Sequence, residues 1–234
     1  MKIVSIVGAR PQFIKAAAVS RVLRKVNGLT EILVHTGQHF DVNMSDIFFD
    51  ELDIPKPDYQ LGIGGGSHGE NTGRMIEQIE KVLIKEAPTW VMVYGDTDST
   101  LAGAIAAKKL HISIAHVEAG LRSYNMSMPE EVNRILTDRI SNILFCPTKT
   151  ATENLLREGF SNIDAQILLV GDVMLDASLY YKKYAKRPDS LIDTFESNKF
   201  CLCTIHRADN TSNHENLSNI FKALEEIAKE FTVL

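Results

Sequence analysis

Short, unbroken runs of apolar residues constrain this chain more than any other feature. They read "KIVSIVGA", "EILVHTG", "WVMVYGD", "ISIAHVEAG", "NILFCPT", "ILLVGD" and "FCLCTIH", and each gives way to a polar turn and then to a longer segment with helical spacing. A strand wetted on one face alternates apolar and polar residues, whereas an unbroken apolar strand must be covered on both faces. Helices between successive strands supply that cover, so the fold class is α/β with a doubly wound parallel sheet. The chain has 234 residues, 44% of them hydrophobic, enough for one large α/β domain or for a domain and part of a second. Its net charge of −5 is spread without blocks, which leaves no electrostatic footprint for nucleic acid or an anionic membrane. The opening "MKIVSIVGAR" holds an apolar run too short to span a bilayer and has no cleavage pattern, so a cytoplasmic location is expected. Cys146, Cys201 and Cys203 sit in strand-like runs and read as buried reduced thiols; a metal or redox role for Cys201 and Cys203 is the minor alternative. The expected partner is a small molecule.

The polar stretch "YYKKYAKRPDS", residues 180–190, loses periodicity and reads as a junction between a first domain over 1–180 and a second segment over 181–234. In that segment Leu217, Ile220, Phe221, Leu224, Ile227, Ala228 and Phe231 fall on one helical face, and the final "TVL" resembles the start of another strand. A strand and its helix without the next parallel strand make an unfinished βαβ unit, so the chain is expected to be truncated. The alternative is that the last strand joins the first domain's sheet.

Ligands of open parallel sheets collect beyond the carboxyl ends of the strands, where helices begin. There "GARPQFIK" offers Gly8 for a tight turn, Arg10 and Lys15 as cations and a helix start near Pro11, which suits a phosphate; the plainer reading is that both cations solvate a helix start. "GGGSHG", residues 64–69, matches a dinucleotide fingerprint literally, but it follows "IPKPDYQLGI", a proline-broken loop and no strand, so no nicotinamide or flavin cofactor is expected. It reads as a glycine loop that closes over a ligand. "YGDTDST" ends a strand with Asp96 and Asp98, one of which helix capping would explain. His116 and Glu118 are two apart and so share a face of an extended strand. Carboxylates beside a phosphate site repel it unless they move protons or bind hydroxyls. A metal held by His116, Glu118 and Asp96 lacks any supporting ligand spacing, and none is expected. In "SMPEEVNR" a proline opens a helix, and the helix dipole accounts for one of Glu130 and Glu131. His206, followed by Arg207, ends the strand of the second segment and would face the first domain across a cleft.

Taken in order, "GARPQFIK", "HTGQHFD", "YGDTDST", "HVEAGLR", "MPEEVNR", "VGDVMLD" and "TIHRADN" resemble the non-hydrolysing UDP-N-acetylglucosamine 2-epimerases over the whole chain. The resemblance implies two Rossmann-like domains of the glycosyltransferase GT-B type with the active site between them, the second domain being incomplete here and without the family's serine-glycine-glycine diphosphate motif. It implies that Arg10 and Lys15 lie near the diphosphate, that Asp96, Glu118 and Glu130 handle protons, and that His206 serves substrate and catalysis, with Asp96 and Glu118 also contacting substrate. A UDP-sugar substrate, no cofactor and a homodimer at full length follow from it. Three departures stand out. The "RSYNMSMPEE" loop is short, the usual glutamate of "HRAEN" is Asp209, and Gln38 is followed three residues later by Asp41 where allosteric members carry a second glutamine.

The implied reaction interconverts UDP-N-acetylglucosamine and its 2-epimer, a step toward cell-surface polysaccharide precursors. The hydrogen on C2 has no neighbouring carbonyl, so loss of UDP from C1 must come first, giving a 2-acetamidoglucal that is re-protonated on its other face. The short loop and "GARPQFIKA" also resemble the branch acting on UDP-2,3-diacetamido-2,3-dideoxyglucuronic acid. The remaining alternatives are a UDP-sugar glycosyltransferase on the same fold and a non-enzymatic UDP-sugar-binding or regulatory fragment.

Overall fold

The computed structural model describes residues 1–37, 56–185, 200–205 and 208–234, which form two compact units, Met1–Lys183 and Tyr184–Leu234. The expected domain boundary lay three residues earlier.

In the first unit the apolar runs become β1 (Lys2–Val7), β2 (Thr30–His35), β4 (Trp90–Tyr94), β5 (Ser113–Val117), β6 (Ile143–Cys146) and β7 (Gln166–Leu169). A further two-residue strand, β3 (Tyr59–Gln60), pairs with β2 through Val34 and His35. The proline-broken loop before the glycines therefore does contain a strand, too short for periodicity to reveal. Among the described residues the sheet runs β3-β2-β1-β4-β5-β6-β7 with every pair parallel. The helices are α1 (Arg10–Leu23), α2 (His68–Glu86), α3 (Asp98–Lys109), α4 (Pro129–Ile140), α5 (Lys149–Arg157) and α6 (Val173–Tyr181).

Alternate residues of each strand serve opposite faces. Val4 and Ile6 pack with Met75, Ile79 and Leu83 of α2 and Ala102 and Ala106 of α3, while Ile3 and Val7 pack with Phe13, Ala16 and Ala17 of α1. Burial on both sides is why these strands lack an alternating pattern. The chain order reverses between β1 and β4: the path moves outward from β1 to β2 and β3, then returns to β1's other side. That reversal opens a crevice beyond the carboxyl ends of β1 and β4.

In the second unit β8 (Phe200–Cys201), α7 (Ala208–Thr211), α8 (His214–Ile227) and β9 (Thr232–Val233) follow. β8 and β9 pair in parallel, Phe200 with Thr232 and Cys201 with Val233, in a sheet of their own. The βαβ unit expected to be unfinished thus has its second strand, two residues long, and that strand does not join the first sheet. No residue of α8 is buried; Phe221 is 54% exposed. Cys146 is buried as expected, whereas Cys201 and Cys203 are only half-buried because their short sheet has little cover; all three are free thiols.

Candidate active site at the topological switch point

The crevice is built on two tight turns. After β1, Gly8 passes so close to α3 that a Cβ there would lie 2.1 Å from both Ser99 Oγ and Thr36 Oγ1, which hydrogen-bond each other at 2.8 Å. Gln12, wholly buried in the first turn of α1, locks this turn in place. Its Oε1 accepts from the Gly8 and Ala9 amides at 2.7 and 3.0 Å, and its Nε2 donates to the Tyr94 carbonyl and Thr100 Oγ1 at 2.7 and 2.9 Å. One side chain thereby joins the ends of β1 and β4 to the start of α3. After β4, Gly95 takes φ +64°; a Cβ there would lie 3.1 Å from Glu118 Oε2 and 3.2 Å from Lys15 Nζ.

Directly over Gly95, Lys15 donates to Glu118. Lys15 is buried, and the Glu118 side chain is 20% exposed. The expected pairing of Glu118 with His116 on one strand face does not occur, because β5 ends at Val117 and Glu118 adopts φ +73°. A left-handed backbone is uncommon for a residue with a Cβ and marks a position held by its surroundings, often at a functional site.

Asp96 receives a hydrogen bond from Arg134 of α4, which also holds Glu131, while its carbonyl accepts from Asn133 Nδ2 at 3.0 Å. Asp98 lies inside the first turn of α3, whose N-cap is Thr97; the capping role considered for Asp96 or Asp98 thus belongs to the threonine between them. Asp98 is buried between Asn133 Nδ2 at 3.1 Å and His68 Nδ1 at 2.8 Å. His68 opens α2 directly after the glycine loop, with its side chain 70% exposed. The hydrogen bond to Asp98 and that residue's charge raise the His68 pKa, and Glu130 adds to the effect.

The two glutamates that begin α4 have different environments. Glu131 is buried, accepts from the Ser123 and Tyr124 amides at 3.0 and 2.8 Å and pairs with Arg134, so it shapes the loop between β5 and α4. Burial pushes its carboxyl up, but the Ser123 and Tyr124 amides and Arg134 outweigh this and hold it below the usual range. Glu130 is exposed.

His116, a rim candidate in the sequence, is instead wholly buried. Its Nδ1 lies 2.7 Å from Asp138 Oδ1 and its Nε2 2.7 Å from the Gly95 carbonyl. Asp138 also accepts from the Gly120 amide at 3.1 Å and from Arg122 at 2.7 Å, and Arg122 grips Glu158 through Nε and a second nitrogen, both at 2.7 Å. Burial would push the Asp138 carboxyl up, but the bond and charge of His116 and then Arg122 win and hold it down. For Arg122 burial works against the charge, yet the Glu158 hydrogen bond and the Asp138 charge raise its pKa.

The structure thus brings Lys15, Glu118 and Asp96 to one rim, with Glu130 exposed in the first turn of α4, its charge felt at His68, and Arg10 exposed at the first residue of α1. His206, Arg207, Gln38 and Asp41 lie outside the described residues, as does the Asp209 side chain. Sequence reasoning missed Gln12, Arg134 and Asn133. Gln12 at the third position of a helix start and Arg134 one turn after Glu131 had local signals, capping-box and i, i+3 spacing respectively. Among the described residues no three His, Cys, Asp or Glu side chains converge as a metal site, and no helix is long and apolar enough to cross a membrane. Beside Glu118 a mainly apolar cavity of about 310 Å³ opens between α1, the strand ends and Val170–Val173.

Residues 21–234 match the family model described as UDP-N-acetylglucosamine 2-epimerase. The chain is 59% identical over 227 residues to the UDP-2,3-diacetamido-2,3-dideoxy-D-glucuronate 2-epimerase of Pseudomonas aeruginosa, covering 97% of this chain and 63% of that protein. Two solved structures are similar in fold: the Methanocaldococcus jannaschii UDP-GlcNAc 2-epimerase in complex with UDP-GlcNAc and UDP (TM-score 0.86, 47% identity), and the Neisseria meningitidis UDP-GlcNAc 2-epimerase bound to UDP-GlcNAc (TM-score 0.88, 34% identity). Each match covers 100% of this chain and 65% of the other. The chain therefore spans under two thirds of the length of these relatives.

Proposed function

The chain belongs to the UDP-N-acetylglucosamine 2-epimerase family, and from that membership and the geometry of the crevice we propose that it carries the proton-transfer half of a UDP-sugar 2-epimerase active site. The observation that carries the proposal is the Lys15–Glu118 pair, set over Gly95 at the switch point with Glu118 in a left-handed backbone.

In this reading the C1–O bond of the sugar breaks first and its electron pair leaves with UDP, whose diphosphate is met by Arg10 and Lys15. The hydrogen on C2 becomes acidic beside the electron-poor C1. A carboxylate removes the proton, and the C–H electrons form the C1–C2 double bond of a 2-acetamidoglucal. A second acid protonates C2 from the opposite face, and UDP returns to C1. Glu118 and Glu130 are the carboxylates assigned to C2, with Asp96 beside them, and the family resemblance gives His206 a part in substrate binding and catalysis. Lys15 has two partners in this scheme. When it turns to the diphosphate, Glu118 loses its donor and its carboxylate becomes available to the C2 proton, so departure of the leaving group and exposure of the base are coupled. The enzyme works in the cytoplasm as a homodimer in this reading.

The 59% identity to a glucuronate 2-epimerase favours a second reading of the substrate, a UDP-diacetamido uronic acid in place of UDP-N-acetylglucosamine. One experiment addresses both. The native polypeptide is incubated with each UDP-sugar in deuterated water and the product examined for deuterium at C2; the preferred substrate is the one that exchanges. Glu118→Gln, which keeps shape and loses the proton acceptor, abolishes exchange. Absence of exchange with either sugar, or undiminished exchange in the variant, defeats the proposal.

A further inference from the structure

We propose that His116 is a positioning residue for the two carboxylate-bearing turns, its buried ring fastening the Gly95 carbonyl to Asp138 and so fixing Asp96 relative to Glu118. This rests on the epimerase reading above.

His116 cannot touch substrate, because its side chain is fully buried. Both of its ring nitrogens nonetheless face oxygen atoms at 2.7 Å. The Gly95 carbonyl can only accept, so Nε2 carries hydrogen and donates to it, while Nδ1 shares a hydrogen bond with the Asp138 carboxyl group. What the two bonds join matters more than the bonds themselves. Gly95 is the residue before Asp96, and its left-handed turn forms the floor beneath the Lys15–Glu118 pair. Asp138, at the other end of the ring, holds the Gly120 amide and Arg122, which stand two and four residues after Glu118. The turn carrying Asp96 and the turn carrying Glu118 are therefore tied through one imidazole. Arg122, gripping Glu158 at the end of α5, anchors the whole set. A histidine with only a core-filling role would need no acceptor at both nitrogens; an apolar residue of similar volume would serve.

The consequence is kinetic. Misplacing a reacting carboxylate by about 1 Å costs on the order of 100-fold in rate while leaving the groups that bind the nucleotide in place. In His116→Gln the amide can donate to the Gly95 carbonyl, but its own carbonyl then faces the Asp138 carboxylate. The double variant His116→Gln with Asp138→Asn restores a donor to that oxygen, and the asparagine oxygen still accepts from Gly120 and Arg122.

The test measures deuterium exchange at C2 in the native polypeptide. His116→Gln is expected to lower kcat by roughly 10- to 100-fold with little change in KM, and the double variant to recover most of the loss. Unchanged kcat in the single variant, a loss confined to KM, or no recovery in a double variant whose circular dichroism is native would each overturn the proposal. Independently of activity and of variant folding, nitrogen-15 NMR of the unaltered chain should show hydrogen on His116 Nε2 and a through-bond coupling from Nε2–H to the Gly95 carbonyl. An Nε2 without hydrogen, or no coupling, would overturn it as well. A native polypeptide with no C2 exchange but with this NMR signature defeats the epimerase reading and not the fastening itself.

Discussion

Glu118 is the one proposed catalytic residue whose backbone is itself unusual among those described, and this allows strain and chemistry to be separated. Glu118→Ala and Glu118→Gly both delete the carboxylate and leave Lys15 without that partner, so the difference between them isolates the φ of +73°. A left-handed conformation costs a residue with a Cβ about 1 to 2 kcal/mol, and glycine essentially nothing. Against this, glycine gives the unfolded chain extra freedom that costs about 0.4 to 1 kcal/mol. The glycine variant should therefore be the more stable of the two by about 0.5 to 1 kcal/mol, the reverse of the usual order for a site with ordinary backbone angles. With a urea slope of about 2 kcal/mol per molar, the midpoints should differ by about 0.25 to 0.5 M. The chain has a single tryptophan, Trp90 on β4, in the same compact unit as Glu118, so its fluorescence reports the relevant unfolding. An alanine variant whose midpoint equals or exceeds that of the glycine variant would refute the inference that the fold holds Glu118 in a strained backbone.

Two further outcomes are expected. Gly8→Ala should destabilise the first unit by about 1 to 3 kcal/mol in the same titration, because its Cβ would overlap Ser99 Oγ and Thr36 Oγ1 at 2.1 Å; a change under about 0.5 kcal/mol would show that the turn yields freely. The Glu131 carboxyl is held below its unfolded value despite burial, by the Ser123 and Tyr124 amides and Arg134, so its contribution is complete above the unfolded pKa and is lost as pH falls through the folded one. Glu131→Gln should accordingly flatten the acid limb of the stability-versus-pH curve, and an unchanged limb would count against that assignment.

The sheet was legible because burial on both faces leaves a signature in every long strand; β3 was not, since two residues carry no period. The rim was legible as a set of residues but not as a set of pairs. Lys15 was read as a phosphate cation, yet it lies against Glu118, a residue 103 positions away in sequence. Nothing local encodes that meeting; it follows from β1 and β5 flanking β4 with α1 crossing above. His116 failed for a related reason. The two-residue period that would have put it on the rim with Glu118 holds only while the strand continues, and the strand stops at Val117. The dipole argument could not separate Glu131 from Glu130, both in the first turn of α4; the resemblance named Glu130 for proton handling, and the loop's folding back onto Glu131 commits that residue to structure.

The pairing also resolves a difficulty evident in the sequence, that carboxylates crowd a site meant for a diphosphate. On this rim Glu118 faces Lys15, Asp96 faces Arg134 and Asp98 faces His68. Paired in this way, the carboxylates present a weaker repulsive field to an arriving anion than their number suggests. The pairs differ in what a ligand can do to them. Arg134 is tethered to Glu131 as well as to Asp96, which holds it in place, and Asp98 is held by Asn133 as well as His68. Among the described residues Glu118 has no second side-chain donor, and Lys15 lies on the helix that starts at Arg10. An anion drawing Lys15 toward that helix start would uncover Glu118 while the Asp96 and Asp98 pairs stay closed. Selective release of one carboxylate out of three follows from the connectivity of the pairs, and on the proposed chemistry it is the carboxylate nearest the diphosphate cation that must act once the C1–O bond begins to break.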